Sequence, residues 1–415
     1  MHTCGVDFGT SNSTVGIAGS GAATLLPLEG DKPTLPSVVF FNADDEAVSF
    51  GRAALADYLS GYDGRLMRSL KSLLSTSLID GQTEVQGRAL RFRDLLAQFI
   101  AELKRRAEIA AGRPLTHAVL GRPVFFVDDD AAADRLAEDT LADIARAAGF
   151  KEIAFQYEPI AAAFDYESRI DAEELVLIAD IGGGTSDFSL VRLSPERAGM
   201  PDRRADILAN GGVHIGGTDF DKYLNLSSVM PLLGLGSRLV NNNEVPSSYY
   251  FNLATWHTIN LVYTQKVWRE LQDVQRDARE RDKLGRLLKL IEQRDGHWLA
   301  LKVEEGKIAL SETPVVSLTL ERLADRPVLD LSRAAFDASI APMLQRIEQT
   351  IEQLLRDAGI TVNQVDTVFF TGGSSGVLSL RQRIAALLPQ ARRIDGDLFG
   401  SIGLGLGLDA FRKFG

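Results

Sequence analysis

The sequence predicts an α/β protein of two similar lobes, each built on a β-sheet flanked by helices. Three glycine turns, each at the end of an apolar strand, carry that prediction. In the first, a short strand ends at Asp7, turns through Gly9, Thr10 and Ser11, and returns over Ser13–Ala18. The second lies in Glu174–Leu193. There an apolar strand ends at Asp180, Gly182, Gly183 and Gly184 make the turn, and an alternating strand runs from Phe188. Asp-Phe-Gly-Thr-Ser and Asp-Ile-Gly-Gly-Gly-Thr-Ser-Asp are one device used twice, 173 residues apart. The third, Gly372-Gly373-Ser374, follows the run Val365–Phe370 and precedes an amphipathic helix over Leu378–Leu388, which places backbone donors at a helix N-terminus.

A hairpin tip of glycines with no large side chain lets a phosphate approach backbone N–H groups closely. Asp180 and Asp187 would repel a bare phosphate, so they make sense with a cation between, as in a Mg-nucleotide site. Alone, this stretch reads equally well as a tight hairpin between core strands. The copy at Asp7 breaks the tie, and three such turns imply two lobes closing on one nucleotide.

The remaining elements follow in order. Lys32-Pro33-Thr34-Leu35-Pro36 leads into a strand over Ser37–Phe41, and Gly51–Leu59 opens a helix. Arg65–Ser75 contains Lys71, which on its own reads as a solvated helix lysine. Arg93–Ala111 is an amphipathic helix, with Leu96, Phe99, Ile100 and Leu103 spaced i, i+3, i+4, i+7. A strand over His117–Gly121 ends before Pro123, a turn proline. A helix over Asp129–Ala148, a strand over Ile153–Gln156 and a helix over Glu158–Tyr166 come next. At that helix start the dipole favours a carboxylate, so Glu158 reads first as a cap. Ala205–Gly212 and His214–Asp221 form a further turn, in which Gly216 and Gly217 could approach phosphates and His214 reads as a packed core histidine. Asn225–Asn260 reads as short helices and loops. Thr264–Arg294 is charged and helical, with Val267, Leu271, Val274 and Ala278 on one face. Its charges form either a solvated face or an exposed docking helix. Glu304, Lys307 and Ser311 fall at i, i+3, i+7 within Val303–Ser311, hence on one helical face. A strand over Ser317–Leu320 and a helix over Ser332–Ala358 precede the third turn. The closing helix, Asp397–Phe414, carries Gly400, Gly403, Gly405 and Gly407. No strand leads into it, so close helix packing accounts for the spacing better than a dinucleotide fingerprint.

The 415 residues fit two or three domains. Apolar content of 45% and charged content of 24% are those of a globular protein. With 45 basic and 56 acidic residues the net charge is −11, which argues against a general nucleic-acid surface. A single cysteine, Cys4, excludes an internal disulfide and reads as a small buried residue in the first strand. The N-terminus has neither a basic region nor an apolar run of a leader, and no apolar run approaches the ~20 residues that span a bilayer. The expectation is a cytoplasmic protein, monomeric and without a membrane partner. No Walker lysine turn, Cys/His metal cluster or Ser-His-Asp set is present in the sequence.

In this order and spacing the three turns resemble the actin-like ATPase fold. More narrowly, the chain is similar to the nucleotide-binding domain of heat shock protein 70 (DnaK-type) chaperones. The similarity rests on Val6-Asp7-Phe8-Gly9-Thr10-Ser11-Asn12-Ser13, Gly51-Arg52-Ala53-Ala54, Pro123, Glu158-Pro159-Ile160-Ala161-Ala162-Ala163, the Asp180–Asp187 turn, His214–Asp221 and Thr371–Ser374. It covers nearly the whole chain except about 224–300. It implies a first lobe over 1–169, with a C-terminal helix (393–415) returning to it. The second lobe would take 170–392, with a divergent helical insertion at about 224–300 and a nucleotide cleft between the lobes.

The resemblance also implies roles. Asp7 and Asp187 would hold the waters of Mg²⁺ and of flanking K⁺. Asp180 and Glu158 would orient the attacking water, with Thr185 and Thr10 nearby. Lys71 stands at the family's distance after Gly51-Arg52-Ala53-Ala54 for a lysine that reaches the γ-phosphate. Gly9, Thr10, Ser11, Asn12, Gly182, Gly183, Gly184, Gly216, Gly217, Gly372, Gly373, Ser374 and Asp397 would border ATP or ADP, while Glu304, Lys307 and Ser311 hold ribose and adenine. The family uses a proline at Pro123 to couple the site to its outer face.

Two departures stand out. The sequence ends at Gly415 without the linker and peptide-binding domain of DnaK-type chaperones, like the short YegD-type members. A slow ATPase with no binding of extended peptides is therefore expected, and its clients and cochaperones are not named by the sequence. The family's two adenine-stacking arginines align with Ile308 and Gly376, so ATP affinity should be weaker than is usual there. The alternatives are a filament-forming actin-like ATPase, a sugar-kinase-type phosphotransferase lacking a convincing substrate base, and a nucleotide-dependent interaction module with negligible turnover.

Overall fold

A short apolar strand ending in Asp builds the first hairpin as expected. β1 (Thr3–Asp7) is buried throughout, and β2 (Asn12–Ala18) returns antiparallel, pairing Gly5 with Gly16 and Asp7 with Thr14. β3 (Ala23–Leu25) extends the sheet and β4 (Leu35–Pro36) pairs with the start of β2. β5 (Val38–Asn42), β6 (Val48–Phe50) and β7 (Gly64–Arg68) form a small antiparallel sheet against α1 (Arg52–Leu59). Two 3-10 turns, Leu70–Ser75 and Ser77–Asp80, lead to the hairpin of β8 (Gln82–Val85) and β9 (Arg88–Arg91). Lys71 therefore sits on a 3-10 turn, not on a helix. After α2 (Phe92–Ala111) come β10 (His117–Arg122), α3 (Ala131–Ala147), β11 (Glu152–Tyr157) and α4 (Glu158–Glu167). β10 and β11 add parallel to β1, which gives the order β3-β2-β1-β10-β11.

The computed structural model describes residues 2–19, 23–85, 87–127, 130–200, 202–323, 325–397 and 400–415. The expected helix start at Asp129 lies outside them, and α3 begins after an Asp130 cap whose carboxylate accepts from Ala132 and Ala133 N–H.

A second sheet repeats the plan. β12 (Glu174–Ile181) and β13 (Ser186–Leu193) pair antiparallel, with Asp180 opposite Asp187, and β14 (Ile207–Val213) flanks β13. The chain then runs through α5 (Gly217–Leu224), a π-helical turn (Asn225–Val229), α6 (Ser248–Leu253), α7 (Gln265–Asp277), α8 (Arg281–Glu292) and α9 (Gly296–Leu310). The two-stranded sheet of β15 (Val315–Thr319) and β16 (Val328–Ser332) and the long α10 (Arg333–Asp357) follow. β17 (Thr367–Thr371), α11 (Leu378–Leu387), β18 (Arg392–Asp395) and α12 (Ser401–Phe414) complete the order. β17 and β18 add parallel to β12, so the second sheet reads β14-β13-β12-β17-β18.

By contacts the chain divides into two units. One holds Met1–Gly212, Thr350–Ser375 and Ala385–Gly415; the other holds Val213–Gln349 and Gly376–Ile384. Both large sheets, one of six strands with β4 and the other of five, belong to the first unit apart from Val213 at the end of β14. A single apolar core there joins Val119, Val176, Ile178, Val191 and Phe369 of the strands to Ile160, Phe164, Leu406 and Ala410 on α4 and α12. Glycine permits this packing: a Cβ on Gly405 would lie 1.8 Å from the Ala161 carbonyl oxygen, and one on Gly403 would lie 2.3 Å from Thr14 Oγ1. The glycines near the chain's end thus serve close packing, as expected. The helix itself starts at Ser401, since Asp397 stands outside it and accepts from Gly400 N–H at 3.1 Å. Leu398 and Phe399 lie outside the described residues.

Two expectations fail in the second unit. Thr264–Arg294 is not one helix. It breaks at Ala278, which is buried, extended and bridged to Leu239, while Val240 N–H donates to the Asp277 carbonyl at 2.8 Å. His214 is exposed rather than packed. Its neighbour Ile215 takes the inward position at 2% exposure, and alternation turns the imidazole outward.

Candidate functional site

The two hairpin turns and the third glycine turn converge in the first unit. In the first turn the Ser37 hydroxyl donates to the Gly9 carbonyl at 2.6 Å and shares a 3.0 Å hydrogen bond with Ser13, while Ser37 N–H donates to the Ser11 carbonyl. The stretch ending at Ser37 therefore braces the turn from below. Gly9 has no room for a side chain, because a Cβ would lie 2.1 Å from the Asn12 carbonyl oxygen. In the second turn Gly182 N–H donates to the Thr185 carbonyl at 2.9 Å, and a Cβ on Gly183 would strike Ser11 Oγ at 2.2 Å. Gly184 faces open space, since a Cβ there would meet nothing within 4 Å. Gly372 needs its φ of +83°, and a Cβ there would crowd Asp180 Oδ1 at 2.3 Å. Ser374 N–H closes the third turn onto the Ile181 carbonyl at 2.9 Å.

Charged groups gather around these turns. Lys71 Nζ donates to Glu158 Oε1 at 2.5 Å, and both side chains are largely buried, 12% and 14% exposed. Burial works against the Lys71 ammonium, but Glu158, then Asp7 and Asp180, outweigh it and hold its pKa above the usual lysine value. Burial, with the Glu158 charge added, pushes Asp7 up to about 7 against the pull of Lys71. Burial, then Asp187, Glu158 and Asp7, pushes Asp180 up to about 8. Asp187 is exposed at the hairpin edge, accepts from the Thr185 hydroxyl at 2.8 Å, and has Gly212 beside it, where a Cβ would lie 2.6 Å from its Oδ1. Lys71, Glu158, Asp7, Asp180 and Asp187 thus form one electrostatic cluster, drawn from four separate segments. The Glu158 carboxylate is turned to Lys71 rather than serving only as a helix cap.

The donor set fits a hard divalent cation, since it is oxygen-based and carries more carboxylates than its one ammonium balances. Among the described residues no three Asp, Glu, His or Cys side chains converge closely enough to ligate a metal directly.

In the second unit, Gly216 caps α5, with its N–H donating to the Asp219 carboxylate at 3.0 Å. Lys307 is buried on α9, and its ammonium pairs with Asp221 at 2.8 Å and donates to the Gly217 carbonyl at 3.3 Å. The lysine expected at the ribose thus ties α9 to the Gly216-Gly217 turn. Glu304 is half-buried on the same helix, and Ser311 ends it. Ile308 is 60% exposed, and a Cβ on Gly376 would meet nothing within 4 Å.

One feature was not legible in the sequence. Arg122, between Gly121 and Pro123, is a buried cation with carboxylate partners on α3. A charged residue ending an apolar strand was the available signal.

Two sheets that share one five-strand order, each with an Asp-ended hairpin, define a protein of the actin-like ATPase fold. The profile of the Hsp70 protein family matches residues 74–227 and 291–396. The chain belongs to the Hsp70 family. It is 28% identical over 430 residues to proteins described as chaperone protein HscA homologs from Pseudomonas paraeruginosa and Shewanella baltica, covering 98% of this chain and 57% and 58% of theirs. A Methylobacillus flagellatus protein of the same description is 26% identical over 423 residues, covering 98% of this chain and 57% of its own length. The chain thus spans less than two-thirds of the length of these relatives. The family profile passes over 228–290, the stretch of α6, α7 and most of α8. Among the described residues no helix is long and apolar enough to cross a membrane.

Proposed function

We propose that this protein binds Mg-ATP and hydrolyses it slowly, as the nucleotide-driven part of an Hsp70-type chaperone system. The observation that carries the reading is the Lys71–Glu158 pair set among Asp7, Asp180 and Asp187 beside three glycine turns. Such a site suits phosphoryl transfer, in which the protein's work is positioning and charge stabilisation rather than covalent chemistry.

Lys71 would offset charge on the transferring phosphoryl group. Glu158 and Asp180 would accept hydrogen bonds from the attacking water and orient it, with Thr185 and Thr10 nearby. Asp7 and Asp187 would hold Mg²⁺, and K⁺ beside it, through coordinated water. When bound, Mg²⁺ would neutralise charge on the nucleotide's phosphates. Gly9, Thr10, Ser11, Asn12, Gly182, Gly183 and Gly184, with Gly372, Gly373 and Ser374, would offer backbone and hydroxyl donors to the phosphates. The family resemblance adds Gly216, Gly217, Glu304, Lys307, Ser311 and Asp397 as nucleotide contacts. The single cysteine and the relatives' description as chaperones support a cytoplasmic setting, with a protein client or cochaperone as partner.

Titration calorimetry should show ATP and ADP binding that requires Mg²⁺, and phosphate release should be slow, well below one per second. No binding of either nucleotide with Mg²⁺ present would end the proposal.

A further inference from the structure

We propose that Arg122 is a positioning residue for the Lys71–Glu158 pair, a role that rests on the function proposed above. Arg122 ends β10 and stands in register opposite Tyr157, the last residue of β11. Its guanidinium lies over two rings, 5.2 Å from the centre of Tyr157 and 5.3 Å from that of Phe126. Nε donates to the Pro123 carbonyl at 3.0 Å, and Nη2 donates to the Val124 carbonyl at 3.2 Å and to Asp134 Oδ2 at 2.8 Å. Nη1 bonds Glu138, and Asp134 Oδ1 also accepts from Phe126 N–H at 2.6 Å. One planar group therefore fixes the turn after β10, two positions on α3 and the end of β11.

Those elements are the ones that present the pair. Tyr157 passes directly into Glu158, and Gly121, just before Arg122, lies beneath it: a Cβ on Gly121 would sit 3.2 Å from Glu158 Cγ. α3 packs against the 3-10 turn Leu70–Ser75, which carries Lys71. Arg122 thus holds the Glu158 side through β11 and the Lys71 side through α3, without touching either. A lysine could keep the charge. It could not lie over two rings and also reach carbonyls and carboxylates in several directions, because that requires the planar five-donor fork. Displacing a catalytic pair by about 1 Å can cost on the order of 100-fold in rate.

The test compares wild type with Arg122→Lys and Arg122→Met. The first readout does not depend on nucleotide: the acetylation rate of Lys71 by acetic anhydride, followed by mass spectrometry, with Lys104 as the internal reference. Lys104 pairs with Glu108 elsewhere on the first unit. Lys71 should react roughly 3- to 10-fold faster in Arg122→Met and by an intermediate factor in Arg122→Lys, with Lys104 unchanged, as expected for a loosened ion pair. The second readout is turnover: kcat for ATP should fall about 10-fold or more while the Kd for Mg-ADP stays within about threefold. Unchanged Lys71 reactivity and kcat in a folded variant would overturn the proposal. So would a parallel rise at Lys71 and Lys104, since that would show general loosening. If Arg122→Met does not fold, Arg122→Lys decides by the same criteria. A wild type that binds no ATP would sink the proposed function, and the acetylation readout would still decide the role of Arg122.

Discussion

The two sheets of the first unit have the same strand order but are furnished differently. In the first hairpin Asp7 faces Thr14 across the ladder, whereas in the second Asp180 faces Asp187. The strand beside each hairpin differs too. β10 ends in Arg122, clamped by α3, while β17 ends at Thr371 and runs into Gly372 and Gly373. After the outermost parallel strand the first half starts α4 with Glu158, and the second starts α12 only at Ser401. A repeated scaffold has thus been given two tasks. The second half supplies facing carboxylates and bare backbone. The first supplies the ammonium and the carboxylate that answers it.

The largest effect should come from breaking the first half's contribution. Lys71→Ala should lower turnover by about 100-fold or more while nucleotide affinity stays within a few-fold, because the lost group acts mainly on transition-state charge. Single-turnover phosphate release checks this, and normal hydrolysis would mean that another residue does the work. In the second half, Asp187→Ala should instead weaken Mg-nucleotide binding by roughly 10- to 100-fold, as expected of an outer-shell metal partner. Calorimetry at several Mg²⁺ concentrations separates the two outcomes, and an unchanged Kd would remove Asp187 from the metal's surroundings.

A smaller effect sharpens the contrast at the strand ends. Just beyond the third turn, Gly376 leaves its surroundings open where the family resemblance implies a stacking arginine. Gly376→Arg should tighten ATP binding by about fivefold, within the roughly 0.5–2 kcal/mol of one guanidinium–ring contact. Equal or weaker binding with intact circular dichroism would place the base elsewhere.

The smallest effect is on stability. Asp180 is raised from 3.8 to about 8, first by burial and then by Asp187. Between those values the folded chain keeps a proton that the unfolded chain releases. The contribution of Asp180 to the stability of the nucleotide-free protein should therefore be full below about pH 4 and be lost as pH rises toward 8. Asp180→Asn should raise the melting temperature by roughly 2 °C at pH 8 and by nothing near pH 4. Scanning fluorimetry across that range would refute the clustering if the two proteins ran parallel.

Much of this was legible because it was local. Apolar strands broken by Asp and glycine mark both hairpins within a residue or two, and Gly405 and its neighbours announce a close helix contact. Lys71 and Glu158 are 87 residues apart; family resemblance assigns both to one site, but nothing in the sequence announces their ion pair. What stayed hidden depends on register and tertiary pairing. The Arg122 clamp exists because β10 and β11 align Arg122 with Tyr157, and the break at Ala278 exists because Leu239 bridges to it. His214 faces outward because a single alternation step, invisible in the sequence, decides which of two neighbours points inward.

The contact between β1 and α12 also bears on how the chain comes to be folded. Gly5 lies so close to Leu406 that a Cβ there would approach its backbone carbon to 2.1 Å, although the two are about 400 residues apart. A strand at Thr3–Asp7 thus stays uncovered until a helix about 400 residues further along the chain has been made. Contacts of such sequence separation slow folding and lengthen the exposure of apolar edges. Because β1 ends at Asp7 and the Gly9–Ser11 turn, this part of the site should lack its α12 support until that helix has been made, and nascent chains without α12 should be the species most in need of protection.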